Sequence, residues 1–436
     1  MSTTSFGAIS FLFSYNNVDS YRFLFLDFEI LIPTLGLSDP GSYLLAGASL
    51  AANDILGEHR WIFNLWPPGM PHIYSLILSA GLPIGLSMFV LSSGVYGLVL
   101  TLLFSVVGKL FSRKIAAITL LPGLLNPFAI GSLGPGNVLL SDGLGASFLM
   151  LAVLAWLVWV PLLLSGNFDS SSRSYGAIFA VSSVMVLSLR WSMVPIIGLF
   201  WLTAAGVAVT NWYLSKRKQK NVSAAGIFEF MKAMAIALTM GLPWTVYVST
   251  ILHPPNPLWS VGTDYVWAQR WLKDDDLPGF LMAGNANWAC DLDPEKCEAL
   301  SPLALEGGLS YSVFRGEAVG TIVSNPLGFL ATGLSDFFRG FFSAPSTAVG
   351  SYSSWELSAI SAVLILLCLL MAAWQKNWMV ALSVVFLLFP TFFTIAVFHI
   401  ESRYLLPLHF QAFTICVFSI TLALGSRYRP QDTVSK

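Results

Sequence analysis

The chain has 436 residues, of which 56% are hydrophobic and only 10% charged, with a formal net charge of -1. Soluble domains carry roughly 25% charged residues, so this composition excludes a soluble enzyme or scaffold and points to a polytopic membrane protein. The near-neutral charge gives no basis for a nucleic-acid partner, and the five His residues show no zinc-type spacing.

A spanning helix needs about 20 mostly apolar residues. The first 85 residues fit that template poorly: 7–14 is apolar but short, NNVDSYR (16–22) interrupts it, and FLFLDFEILIPTLGL (23–37) carries Asp27 and Glu29. A charge at a helix centre costs about 2.5–3.5 kcal/mol on insertion scales, so a first span through 7–32 is weak. The start lacks the basic residues and cleavage pattern of a signal peptide. Residues 39–83 then read as an external loop with short interfacial helices.

Further spans are expected near 86–108, 115–133, 141–164, 174–189, 192–213, 225–249, 354–374, 378–398 and 404–425. The fold class is therefore all-α, a transmembrane bundle of about nine to ten spans. Four regions follow: the weak first span and loop (1–85), a bundle (86–249), a long external region (250–353), and C-terminal spans with a short tail (354–436). Within the third region, NPLGFLATGLSDFFRGFF (325–342) has the spacing of an amphipathic surface helix.

Lys and Arg in short loops set orientation. With Lys109, Arg113 and Lys114 in the cytoplasm, alternation puts Arg173, the 216–220 cluster, Lys376 and the Arg427/Arg429 tail there too. The C-terminus is then cytoplasmic. Most of the unusual polar residues fall on the other face. No Asn-x-Ser/Thr site falls in an external segment; this favours a bacterial inner membrane over the endoplasmic reticulum. Cys290 and Cys297, in the polar segment CDLDPEKC, are a disulfide candidate if that loop is external. Cys368 and Cys416 sit in apolar runs as small core residues.

The external face carries the candidate chemistry. Asp39 heads DPGSYLLAGASLA, with Tyr43 on the following helical face. It suits a helix N-cap or a general base acting on an acceptor hydroxyl. Asp54 and Glu58 compete for that role, and with His59 they would also suit a divalent cation, Mg or Mn. WPPGMPH (66–72) is a rigid entry into the next helix. Asp142 opens the run 141–164, either as an N-cap or lining a polar cavity. Arg190, in LSLRWSMVP, needs a partner; a structural salt bridge and a phosphate oxygen both satisfy it. HIESRYLLPLHF is the densest cluster. It is either an interfacial anchor or a site in which Arg403 holds a lipid phosphate, Glu401 orients it and Tyr404 lines the sugar or lipid pocket.

At these residues the chain resembles a GT-C superfamily membrane glycosyltransferase, in the branch of protein O-mannosyltransferases and lipid A aminoarabinose transferases. The resemblance covers most of the chain in order. It runs through DPGSYLLAGASLA, WPPGMP, FSRKIAAITLLPGLLNPF with LLSDGLGASFLMLAVLAWLVW, VLSLRWSMVP, GLPWTVY and HIESRYLLP. It implies an external active site and a sugar donor on a polyprenyl phosphate. It also implies transfer with inversion to a lipid, glycan or protein acceptor. Asp39 matches the acid of the family's first loop; Arg190 and Arg403 match positions near the donor phosphate. The first loop lacks the Asp-Glu pair of the protein mannosyltransferases, which leaves the acceptor class open. Competing readings are a transporter or flippase for a lipid-linked or small solute, a membrane scaffold without chemistry, and a related enzyme that polymerises glycans.

Overall fold

A computed structural model describes residues 31, 39–54, 67–110, 113–134, 137–166, 168, 170–217, 225–251, 323–342, 355–397 and 405–420. Among them there is no β-strand. The helices are α1 (Asp39–Ala51), α2 (Gly69–Ser79), α3 (Ile84–Leu110), α4 (Arg113–Leu124), α5 (Pro127–Ser132), α6 (Ser141–Ser165) and α7 (Ser170–Leu189). They continue with α8 (Val194–Arg217), α9 (Ala225–Ile251), α10 (Pro326–Phe342), α11 (Trp355–Trp374), α12 (Trp378–Val397) and α13 (Leu406–Gln411). The last runs directly into one wide, π-helical turn, Ala412–Cys416.

Among the described residues, five helical stretches are long and apolar enough to cross a membrane: Ile84–Val107, Ser141–Ser165, Val194–Leu214, Ala225–Leu242 and Glu356–Trp374. Arg173–Leu189, Trp378–Thr394 and Leu406–Ile420 are shorter apolar helices. The chain is thus an all-α, multi-pass membrane bundle. The continuous span expected over 115–133 is instead two helices. α4 ends at Leu124, and Asn126 caps α5, its side-chain oxygen accepting from the backbone N–H groups of Phe128 and Ala129. Asn126 also donates to the Tyr96 hydroxyl at 3.2 Å, which donates to the Gly123 carbonyl at 2.6 Å. The Asn126-Pro127 step supplies both cap and break, since proline at the first turn forfeits no helical hydrogen bond.

The hub is α6, which packs against α3, α7, α8, α9, α12 and α13. Its sequence shows why. It is apolar on all sides, and a helix of that kind is buried all round. Between helices in lipid the hydrophobic drive is absent, so close van der Waals fit holds the contact. Trp156 and Trp159 are fully buried. The Trp156 indole N–H donates to the Phe200 carbonyl of α8 at 3.0 Å and its ring meets Phe200 edge-on. Gly176 of α7 leaves room for Trp159; a methyl group there would sit 2.9 Å from the indole nitrogen.

α6 ends at Gly166, whose φ of 71° is the left-handed conformation that stops a helix without side-chain strain. α7 then returns beside α6. Near this turn, buried Glu229 of α9 meets Arg173 of α7 at 3.5 Å and Lys232 at 2.8 Å. Asn211 of α8 donates to the Leu163 carbonyl at 2.9 Å. From Arg173 to Arg190 the helical rise is about 26 Å, so the two arginines belong to opposite ends of the bundle. α10 packs on α12, with Phe337 against Phe392, and its Phe341 reaches His409. Its other side leaves Leu327, Leu334 and Phe338 exposed, as its amphipathic spacing predicts.

Candidate functional site

The Asp142–Arg190 end of the bundle is assembled from three of the polar motifs. α7 stops at Leu189; the Arg190 N–H still donates to the Val186 carbonyl at 2.8 Å, and a short 3-10 turn, Trp191–Met193, leads into α8. The Arg190 side chain crosses α6 at Gly145, where an added methyl group would lie 3.6 Å from its Cγ and Cδ. Its Nη1 then donates to Asp142 Oδ1 in a close ion pair. The arginine side chain is 10% exposed and the carboxylate 1%.

Asp142 is not the N-cap of α6. That position is Leu140, in extended conformation and with no side-chain cap. Asp142 lies in the first turn, where the helix dipole favours an acid, and its partner comes from the end of α7. The reason is local packing. A methyl group at Gly143 would lie 2.6 Å from the Ser132 side chain of α5, so α5 presses on one side of this turn while Arg190 takes the other.

The WPPG step is the third element. Pro68 precedes α2, and Gly69 lies against the end of α7: a methyl group there would lie 2.6 Å from the Ser188 carbonyl oxygen. Tyr74, one turn on and fully buried, donates to the Leu139 carbonyl at 2.6 Å, in the 3-10 turn before α6. Burial, together with neighbouring Tyr43, pushes the Tyr74 phenol well above its ordinary pKa. α1 packs on α2 with Gly47 against Tyr74, and Tyr43 is buried in this contact region. Motifs separated by about 50 and 70 residues in sequence therefore meet around one buried ion pair.

Asp39 is the first residue of α1, and Asp54 lies exposed three residues beyond its end. About 20 Å of helix separates their backbones. The two acids cannot serve the same reacting atom from these positions. Glu58, His59, Glu401, Arg403, Tyr404, Cys290 and Cys297 lie outside the described residues, as does the side chain of Asp39. Among the described residues no three His, Cys, Asp or Glu side chains converge as for a metal.

Tyr74, Gly145 and Ser188 are site-forming residues that the motif reading did not single out. Tyr74 falls five residues after the WPPG step, a spacing that placed it on the helix that step introduces. The approach of Gly145 to Arg190 has no signature in the sequence beyond a glycine near a helix start.

No family model matches the chain, and no curated protein matches it. Among solved structures it is similar to the archaeal oligosaccharyltransferase AglB from Archaeoglobus fulgidus in complex with an inhibitory peptide and a dolichol-phosphate. That likeness is 14% identical with a TM-score of 0.48 and covers 97% of this chain and 50% of that one. The chain spans about half the length of that protein.

Proposed function

We propose that this chain is an integral membrane glycosyltransferase that moves a sugar from a polyprenyl-phosphate donor to an acceptor at the non-cytoplasmic face, with inversion. The observation that carries the reading is the meeting of Asp142, Arg190 and the WPPG step at one end of the bundle. The other end holds Arg173, Lys232 and Glu229.

The chemistry of such a transfer needs three things. The leaving polyprenyl phosphate is already charged at neutral pH, so it needs cationic stabilisation rather than protonation. Arg190 has that role in this proposal. A guanidinium has five N–H donors in a fixed plane, and Asp142 holds that plane in place, so a phosphate oxygen joins Asp142 around it. Arg403 is the second cation assigned to the phosphate, with Glu401 orienting it and Tyr404 lining the sugar. The acceptor hydroxyl needs a base within hydrogen-bond reach, opposite the departing phosphate. Asp39 is assigned to it, with Tyr43 supporting the helix that presents it. Asp54, Glu58 and His59 would be the residues to hold a divalent cation. The bilayer delivers the prenyl chain to the bundle.

Radiolabelled sugar transfer from polyprenyl-phosphate donors, in membranes expressing the chain, tests the reading. Transfer that is lost in Asp39→Asn and in Arg190→Ala supports it. Purified protein that binds no such donor, with Asp39→Ala, Arg190→Ala and Arg403→Ala leaving the cellular glycan unchanged, ends it. The break between α4 and α5 also suits a flippase, since transporters build their sites from interrupted helices. Movement of a labelled lipid-linked sugar between leaflets, without transfer, would favour that reading.

A further inference from the structure

Gln411, the last residue of α13, is fully buried, and neither its amide nitrogen nor its amide oxygen has a hydrogen-bond partner among the described residues. Thr391 of α12 is 3% exposed, and its hydroxyl is likewise unpartnered there. Buried polar groups left in this state are costly, and native structures rarely keep them. Two local irregularities sit beside them. The wide turn Ala412–Cys416 starts immediately after Gln411, and such turns concentrate at functional sites. Pro390 immediately precedes Thr391 and has no N–H, so the Phe386 carbonyl one turn earlier loses its helical donor.

The two side chains share a depth. Thr414 approaches the Met150 sulfur of α6 at 3.7 Å, and Trp156 of α6 packs on Phe386 of α12. Running the helices back from these anchors brings Gln411 and Thr391 to within about one turn in depth along the bundle axis, about 8–13 Å below Asp142. α6, α12 and α13 pack on one another here. Thr391 lies on the same helical face as Val384 and Leu387, both fully buried. Gln411 points away from the His409 face, which Phe128 and Phe341 cover.

We propose that Gln411 and Thr391 bind a hydroxyl-bearing ligand inside the bundle, below the Asp142–Arg190 pair. A hydroxyl both donates and accepts. It can accept from the Gln411 amide or the Thr391 hydroxyl and donate to the Gln411 oxygen or the Phe386 carbonyl. These groups are neutral, so they suit a neutral hydroxyl rather than an ion. In the protein alone that hydroxyl is water's, and a sugar hydroxyl takes its place when a donor binds; the sugar step rests on the glycosyltransferase reading.

Thermal melting of the purified protein in detergent tests the site without any transfer activity, so its failure is separate from failure of that reading. Gln411→Met and Thr391→Val should each lower the melting temperature by a few degrees. The double variant should melt no lower than the worse single, because both contacts serve one ligand. A single variant that melts higher than wild type overturns the proposal, since that is the response of a dry, unsatisfied group being removed. Strictly additive losses overturn it as well. Should Gln411→Met fail to fold, Thr391→Val against Thr391→Ser carries the test: only the variant that keeps the hydroxyl should keep the wild-type melting point. Both melting alike overturns the proposal. Repeating the wild type and Gln411→Met with a polyprenyl-phosphate sugar assigns the source. A rise in melting confined to wild type supports a sugar hydroxyl, and no rise beside a coupled double variant supports bound water.

Discussion

Asp142 and Arg190 are both candidates that the sequence marks as polar groups in apolar surroundings, and the structure makes them each other's partner. A buried pair of this kind is held by geometry more than by net energy, because desolvation offsets much of the attraction. The loss of one member is the severe event. Asp142→Ala leaves a buried guanidinium without its carboxylate and should cost about 3–5 kcal/mol of stability, measured by melting in detergent. Asp142→Leu combined with Arg190→Met should recover most of that loss. The motif reading found both residues because charges are rare in this chain. An acid at a helix start suits either a cap or the lining of a polar cavity, and the sequence left both open for Asp142. What it lacked was the neighbour: nothing in LSDGLG announces an arginine 48 residues away.

Tyr74 is the opposite case, a site residue with little sequence signal. Its hydroxyl ties α2 to the turn before α6. Tyr74→Phe leaves the buried Leu139 carbonyl without this donor and should cost about 1–3 kcal/mol, again read by melting.

At the scale of elements, helices with long apolar runs were legible. α3, α6, α8 and α11 fall within a few residues of the spans that composition predicts, because about 20 apolar residues leave no other solution in lipid. The break at Asn126 was not read, since the apolar run continues through it and only the Asn-Pro step signals a new start. Contacts between elements were illegible, because they depend on where a missing Cβ lets backbones approach. Gly69→Ala puts a methyl group 2.6 Å from the Ser188 carbonyl oxygen, so α2 must shift from α7. It should lower stability by about 1–3 kcal/mol and reduce the proposed sugar transfer through displacement of the Arg190 end. Gly94→Ala is the control: nothing lies within 4 Å of the added methyl group, and a helical glycine replaced by alanine should hold or gain up to about 1 kcal/mol.

At the scale of the whole molecule, the ion-paired residues among those described sort to two ends. Asp142 and Arg190 mark one end, and Arg173, Glu229 and Lys232 the other. Lys376, in the turn between α11 and α12, joins the second end on the basic-loop argument. Impermeant thiol labelling reads this directly, in a background without Cys290, Cys297, Cys368 and Cys416. Both probe positions are exposed. Cysteine at Asp54 should react in intact cells, and cysteine at Lys376 only after permeabilisation; the reverse pattern would invert the membrane orientation.

The Asp142–Arg190 end of the bundle is proposed to handle a polyprenyl-phosphate sugar. The most direct test of this role is transfer of radiolabelled sugar from polyprenyl-phosphate donors, with the native acceptor supplied, comparing wild type with Arg190→Lys at matched levels of folded protein. Lysine keeps the charge but not the planar fork. Wild type should transfer sugar, and the lysine variant should lose most of the transfer. Full transfer by Arg190→Lys and Arg190→Ala, or none by wild type from any donor with acceptor present, would contradict that role.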